Sequence, residues 1–349
     1  MFLASTSFAV ELEENQLSTE YYLSYDLDNQ RILHSNNIEE YIYPASITKL
    51  MTALLLYENS NLNDIVKISY PENYSFEGKV AYLEKDSQVS VEQLLEFLLV
   101  YSANDAAYAT AEYISGNTDD FIELMNKRAS QINMNNTSFK NPDGLDETGH
   151  FTTLNDLLSL SIYILENTKL IDITSKSKFY HDQGNEVKEY KNTNLIIDNG
   201  FIGIKTGWTS NAGLTFIGYN QENNRNIITI VNKSFVDKNK QTHFEDTKTL
   251  YEESIYNFVK KTILYESSPV YRLIGPSETK IFNAEKTYYK FGYKNIDTKM
   301  NLKNISLNKI SFTNYFDNEI IDFKIYDSKM LLRYNFLKSN IISKLIISN

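Results

Sequence analysis

The order in which strand-like and helix-like segments follow one another narrows the fold of this sequence more than any other feature. Residues 21–27 (YYLSYDL) alternate, a second short run follows at Arg31–His34, and Asp28-Asn29 between them suits a hairpin turn. Helices come next. Leu50, Met51, Ala53, Leu54, Leu55 and Tyr57 form a broad apolar helix with no Gly or Pro inside, expected to start at Ser46 just after Pro44. Further helices are expected over about Val91–Leu99, Asp105–Ile114, Asp119–Ile132 and 153–166, the last capped by Thr152 or Thr153. Strands return at Gly203–Thr206, Leu214–Tyr219 and Asn226–Asn232. A chain that runs strands, helices, strands closes its sheet from both ends and carries the helices as an insertion, which is an α+β architecture.

Three short motifs lie at the joints of this pattern. S-x-x-K begins at Ser46, Ser175, Ser277 and Ser306, and S-x-N at Ser35, Ser102, Ser115 and Ser306, so neither discriminates alone. An arbitrary S-x-x-K is most often a capping serine and a solvated lysine, and an arbitrary S-x-N a pair of caps. K-T-G occurs once, at Lys205-Thr206-Gly207. Context singles out one copy of each: Ser46-Ile47-Thr48-Lys49 opens a long apolar helix, Ser102-Ala103-Asn104 falls in a sharp link between helices, and Lys205 lies on a strand. Their order is that of the S-x-x-K serine enzymes.

Each residue type has a chemical use at its place. A serine at a helix N-terminus keeps a free backbone N–H, so Ser46 is expected to be both nucleophile and one oxyanion donor. Lys49 returns to the same helix face, where the positive helix end and a second cation, Lys205, are expected to lower its pKa toward that of a general base. Ser102 can relay a proton to a leaving amine, and Asn104 can hydrogen-bond the Lys49 ammonium and a substrate amide carbonyl. Lys205 and the Thr206 hydroxyl form a cationic seat for a terminal carboxylate. Gly207 lets an extended peptide approach the strand edge, and the Trp208 backbone N–H is the expected second oxyanion donor.

The resemblance to a known family rests on these motifs and on more. Pro44 to Thr52, Tyr101 to Ala107, Phe139 to Leu145, His150 to Asp156, and Asn192 to Leu195 leading to Gly203–Gly207 resemble, in order, the low-molecular-mass penicillin-binding proteins of the D-alanyl-D-alanine carboxypeptidase family. The resemblance covers about residues 20 to 260. It implies a β-lactamase/DD-peptidase-like fold: an antiparallel sheet flanked by helices with a helical subdomain, followed by a small β-rich domain. It also implies a serine peptidase that forms an acyl-enzyme on Ser46, releases the terminal D-alanine of peptidoglycan pentapeptide stems, and is acylated by β-lactams. Two positions depart from the family pattern: Ala103 stands where glycine is common, and Thr193 where some members have an arginine, so Thr193 is left outside the catalytic set.

Other functions are weighed on the same residues. A β-lactamase would carry a deacylating E-x-x-L-N loop, and none lies between Ser102 and Lys205. A D,D-endopeptidase cleaving peptidoglycan cross-links would share the mechanism, but the family's small endopeptidases lack a C-terminal domain. A non-catalytic penicillin-binding module would lack the nucleophile, base or carboxylate seat. Neither cofactor nor metal is expected, because the chain has no cysteine and its four histidines (His34, His150, His181, His243) form no close pair.

Charge bounds the partners and divides the chain. With 45 Asp+Glu against 34 Lys+Arg, a net charge of −11, it is unsuited to nucleic acid. Residues 1–264 hold 21 basic and 37 acidic side chains, whereas 265–349 hold 13 and 8 and turn Tyr-, Phe-, Ile- and Asn-rich. The expected organisation is a remnant of an export signal over 1–10, where Ser7-Phe8-Ala9 fits a cleavage pattern, and a serine DD-peptidase catalytic domain over 20–264. A β-rich domain over 265–327 follows. Residues 328–349 are expected to form a basic amphipathic helix able to lie on an anionic membrane surface, with Leu331, Tyr334, Ile341, Ile342, Leu345 and Ile346 toward one side. The implied location is exported: periplasm or the outer face of the cytoplasmic membrane.

Overall fold

A computed structural model describes residue 12, residues 16–264 apart from 185, 223–224 and 237–240, and beyond them the strands 269–274, 279–283, 288–293, 311–313 and 320–322. The export-signal segment 1–10 and the C-terminal helix 328–349 lie outside the described residues. The chain divides into two compact units, Met1–Ser254 and Ile255–Asn349.

The first unit opens with the hairpin β1 (Tyr21–Asp26) and β2 (Arg31–Asn36), followed by a 3-10 turn (Ala45–Thr48) and helix α1 (Lys49–Asn59). A small strand pair, β3 (Ile65–Lys67) and β4 (Gln88–Ser90), leads into α2 (Val91–Glu96), α3 (Asn104–Ser115), α4 (Thr118–Gln131), α5 (Leu154–Asn167) and α6 (Leu170–Thr174). After the hairpin β5 (Lys178–Asp182) and β6 (Val187–Lys191) come β7 (Phe201–Thr209), β8 (Gly213–Glu222), β9 (Arg225–Ser234) and α7 (Thr242–Asn257). The main sheet has the order β2-β1-β9-β8-β7 and is antiparallel throughout. The strand pair before the helices is thus zipped to the three after them, with Tyr22 opposite Val231 and Ser24 opposite Thr229.

Helix α1 is apolar on all sides because it is surrounded: it packs on α2, α3, α4 and α5, and Leu50, Met51, Leu54, Leu55 and Leu56 are at most 1% exposed. Truncating one such leucine to alanine costs about 2–5 kcal/mol. Thr153 caps α5, its hydroxyl accepting from the Asp156 N–H at 3.1 Å.

Two helix boundaries differ from the sequence expectation, and both lie at the site. Residues 45–48 form a 3-10 turn with Ala45 at φ +50°, so the α-helix starts at Lys49 rather than Ser46. The helix expected over Val91–Leu99 widens after Glu96 into a π turn, Phe97–Tyr101, and the Ala103 N–H reaches back to the Phe97 carbonyl at 2.8 Å. Ser102 ends that turn in the left-handed region, at φ +69°.

The second unit begins at 255, not at the 264/265 boundary read from charge. The reason is β10 (Phe258–Leu264), which pairs antiparallel with β13 (Tyr288–Tyr293). Two more antiparallel pairs belong to it: β11 (Pro269–Ile274) with β12 (Thr279–Asn283), and β14 (Ser311–Thr313) with β15 (Ile320–Asp322). Among the described residues no helix is long and apolar enough to cross a membrane.

Candidate active site

Ser46 owes its position to two glycines. A Cβ on Gly144, which sits at φ +88°, would stand 1.9 Å from the Ala45 carbonyl oxygen; one on Gly207 would stand 3.0 Å from Ala45 Cβ and 3.1 Å from Ser46 N. The 3-10 turn is therefore wedged between the 142–145 segment and strand β7, each touching it where only a glycine fits. Gly207 had been expected to serve substrate approach to the strand edge. Its first job is to let β7 close on the serine turn and on Thr215, whose Cγ2 would lie 2.8 Å from an added Cβ.

The 139–150 segment also holds helix α1 by polar contacts. Thr52 Oγ1 donates to the Pro142 carbonyl at 2.6 Å, and Thr48 Oγ1 pairs with His150 Nε2 at 3.0 Å. Burial lowers the His150 pKa to about 4, so the ring is neutral and structural.

Lys49, fully buried, donates from Nζ to Ser46 Oγ at 2.9 Å and to the Asp143 carbonyl at 2.6 Å. Its pKa falls to about 8, chiefly by burial and further by Lys79, while Asp143 and Asp105 oppose the shift. Burial is the chief cause, with Lys79 beside it, and the expected repulsion between Lys49 and Lys205 is seen on Lys205. Lys205 is 2% exposed and donates to Ser102 Oγ at 2.8 Å and to its neighbour's carbonyl, Thr206 O, at 2.9 Å. Burial first, then Lys49 and Lys79, push its pKa well below the lysine range.

Asn104 does not bond the Lys49 ammonium. Its Nδ2 donates to the Glu77 carbonyl at 2.8 Å and its backbone N–H to the Lys79 carbonyl at 2.7 Å, so it fixes the 77–79 segment as a wall of the site. The next residue, Asp105, continues this by accepting from the Ala81 and Leu83 N–H groups, both at 2.9 Å. Thr206 Oγ1 donates to Thr193 Oγ1 at 2.6 Å, which brings into the site a residue the sequence reading had set aside. Trp208 stands 56% exposed beside it on β7.

A cleft of about 780 Å³ joins these parts. Of the eight residues expected from sequence, Ser46, Ser102, Asn104, Thr206, Gly207 and Trp208 line it. Lys49 and Lys205 lie behind that lining, each within hydrogen-bond reach of a serine that faces it. Sequence reasoning missed Asp143, Gly144, Glu77 and Lys79; Pro142-Asp143-Gly144 was visible as a turn, but nothing in it pointed to a lysine partner. Among the described residues no cluster of His, Asp and Glu could hold a metal ion.

A serine hydroxyl bonded to a buried lysine of lowered pKa, with a second serine–lysine pair across the cleft and an edge strand alongside, has the parts for acyl transfer without histidine. The sequence profile of the D-alanyl-D-alanine carboxypeptidase family matches residues 8–235, and the chain belongs to that family. The relative DacF of Bacillus subtilis, a D-alanyl-D-alanine carboxypeptidase, is 32% identical over 212 residues, 58% of this chain and 54% of its own length. The match thus spans about half of that relative. DacA of Haemophilus influenzae, of the same description, is 28% identical over 312 residues, 83% of this chain and 76% of its own.

Solved structures agree on the fold. Penicillin binding protein 5 from Haemophilus influenzae superposes with a TM-score of 0.66 at 26% identity, covering 81% of this chain and 85% of that one. Penicillin-binding protein D2 from Listeria monocytogenes, in its ampicillin-bound form, superposes with a TM-score of 0.61 at 28% identity, over 69% and 99%.

Proposed function

We propose that the protein is a serine-type D-alanyl-D-alanine carboxypeptidase that removes the terminal D-alanine from peptidoglycan stem peptides. The observation that carries this reading is the Ser46–Lys49 pair, 2.9 Å apart and buried at the lysine end. In the proposed course, neutral Lys49 accepts the Ser46 proton as Oγ attacks the carbonyl of the penultimate residue. The Ser46 and Trp208 N–H groups hold the oxyanion. Ser102, hydrogen-bonded by Lys205, gives its proton to the departing amine and regains the one that Lys49 took from Ser46, so that Lys49 and Ser102 both end as they began, and the terminal carboxylate rests against Thr206 and Thr193. Water then hydrolyses the Ser46 ester.

β-Lactams are proposed to acylate the same serine. Support comes from the relatives crystallised in ampicillin- and cefotaxime-bound forms. A fluorescent penicillin should label the wild type and not Ser46→Ala, and D-alanine release from a pentapeptide should vanish with it. Labelling that survives in Ser46→Ala overturns the assignment.

A second reading, cross-link cleavage, is favoured by one observation: a Haemophilus influenzae relative described as a D-alanyl-D-alanine endopeptidase is 29% identical over 209 residues, 59% of this chain and 71% of its own. Free D-alanine as product supports the carboxypeptidase; split cross-links without it support the endopeptidase. Either substrate places the working protein outside the cytoplasmic membrane, a proposal checked by fractionating cells that express the full chain.

A further inference from the structure

The site holds three lysines, and only one is accessible. Lys49 and Lys205 are buried and committed to Ser46, Ser102 and backbone carbonyls. Lys79 is solvent-exposed and lines the cleft, with its ammonium 4.3 Å from the centroid of the Tyr101 ring. Among the described residues no carboxylate forms an ion pair with it, although acids outnumber bases 45 to 34 in the chain.

Its placement is fixed. The Lys79 carbonyl accepts the Asn104 N–H, and the flanking Glu77 carbonyl and Ala81 N–H are held by Asn104 and Asp105 side chains, so the motif that presents Ser102 also presents Lys79. The Tyr101 ring face meets the ammonium without pairing its charge, and partial burial lowers its pKa. On the other side of the cleft Asp146 accepts from Thr209 Oγ1 at 2.6 Å and from the Asn211 N–H at 3.2 Å, which ties a negative charge to the β7–β8 turn. The cleft therefore carries charge on both walls: Glu77 and Lys79 on the 77–79 loop, and Asp146 beside the β7–β8 turn.

We propose that Lys79 selects substrates carrying a free carboxylate in the acyl portion of the peptide, the part that stays on Ser46. The proposal rests on the carboxypeptidase reading and deepens it. The leaving residue's carboxylate belongs to Thr206 on β7; Lys79, on the opposite wall, is the charge left for a second one. Asp146, across the cleft, repels an anion that enters the wrong way round, so the two opposed charges give orientation as well as affinity.

The test uses the full chain and two peptides of equal length ending in D-Ala-D-Ala. They differ only in the residue before that pair, which carries a free carboxylate in one and the carboxamide in the other. The wild type should show kcat/KM about tenfold higher for the carboxylate peptide, as a charge-assisted contact provides. In Lys79→Gln that ratio should fall to about one, and Lys79→Arg should restore most of it. A ratio unchanged in Lys79→Gln, or near one in the wild type, overturns the proposal. A wild type that hydrolyses neither peptide yet is labelled at Ser46 by penicillin overturns the carboxypeptidase reading, and this one with it.

Discussion

Lys205 and Ser102 meet at 2.8 Å, Nζ to Oγ, and this contact joins strand β7 to the left-handed end of the π turn. It gives Ser102 a donor on one side and leaves its own proton free to point into the cleft. Ser102→Ala removes the hydroxyl without changing volume much, so the fold should survive. Acylation by a fluorescent penicillin should slow about 100-fold or more, the usual worth of a positioned proton-transfer group. A rate within about twofold of wild type would remove Ser102 from the proton path.

A pH profile should report Lys49. The group must be neutral to accept the Ser46 proton, and burial places its pKa at about 8. Below that value the neutral fraction falls tenfold per pH unit, so the second-order acylation rate should climb with pH and level off above 8. Stopped-flow labelling between pH 6 and 9 measures this. A flat profile would mean that Lys49 is already neutral at pH 6 or is not the base.

The fold and the site are unequally legible in the sequence. The sheet and most helices were readable because their apolar positions recur at strand and helix spacing, and Ser46, Lys49 and Lys205 because motif and context agreed. What could not be read was made by distant segments meeting. Asp143 offers Lys49 a backbone carbonyl, which no side-chain identity announces. Helix α7 buries His243, Asp246, Thr247 and Ser254 beside Phe244 and Leu250, so most of its inward stripe is polar and the helical period is hidden. Lys79 carries no mark in the sequence, because its distinction, a place in the cleft wall without an ion pair, exists only after Asn104 has pinned the 77–79 segment.

Gly144 should tolerate no side chain, unlike another glycine of similar φ. Alanine at 144 meets both a left-handed φ of +88° and the Ala45 carbonyl 1.9 Å away, so the 142–145 segment or the serine turn must move. Moving either breaks the Lys49–Asp143 hydrogen bond. Gly144→Ala should lose about 2–4 kcal/mol of stability and slow acylation at least 100-fold. Gly116, at φ +76° behind α3 with nothing within 4 Å, isolates the backbone effect alone. Gly116→Ala should cost about 1 kcal/mol and leave acylation unchanged. Equal effects of the two substitutions in urea unfolding and labelling would sink the wedge argument.

Stability should fall as the medium is acidified; His150 and His243 set the window, and His181, its pKa also lowered by burial, adds in the same sense. Burial lowers the pKa of both His150 and His243 to about 4, below the 6.5 of an unfolded histidine. Between those values the unfolded chain binds a proton that the folded protein refuses, so a falling pH favours unfolding; the loss starts near 6.5 and is complete near 4. Going from pH 7 to pH 5 each histidine should remove about 2 kcal/mol. The carboxyls of Asp143, Asp156 and Glu96 are held up by burial and act in the opposite sense, because the folded protein takes their protons first. The histidine share is therefore measured as a difference. His150→Asn keeps a polar partner for Thr48 but no group that titrates in this range, so its urea-unfolding free energy should drop about 2 kcal/mol less than that of the wild type between pH 7 and pH 5. Parallel curves for the two proteins would show that His150 is protonated as readily in the folded state as in the unfolded one, and that the ring bonded to Thr48 is not the neutral clamp on the serine turn described above.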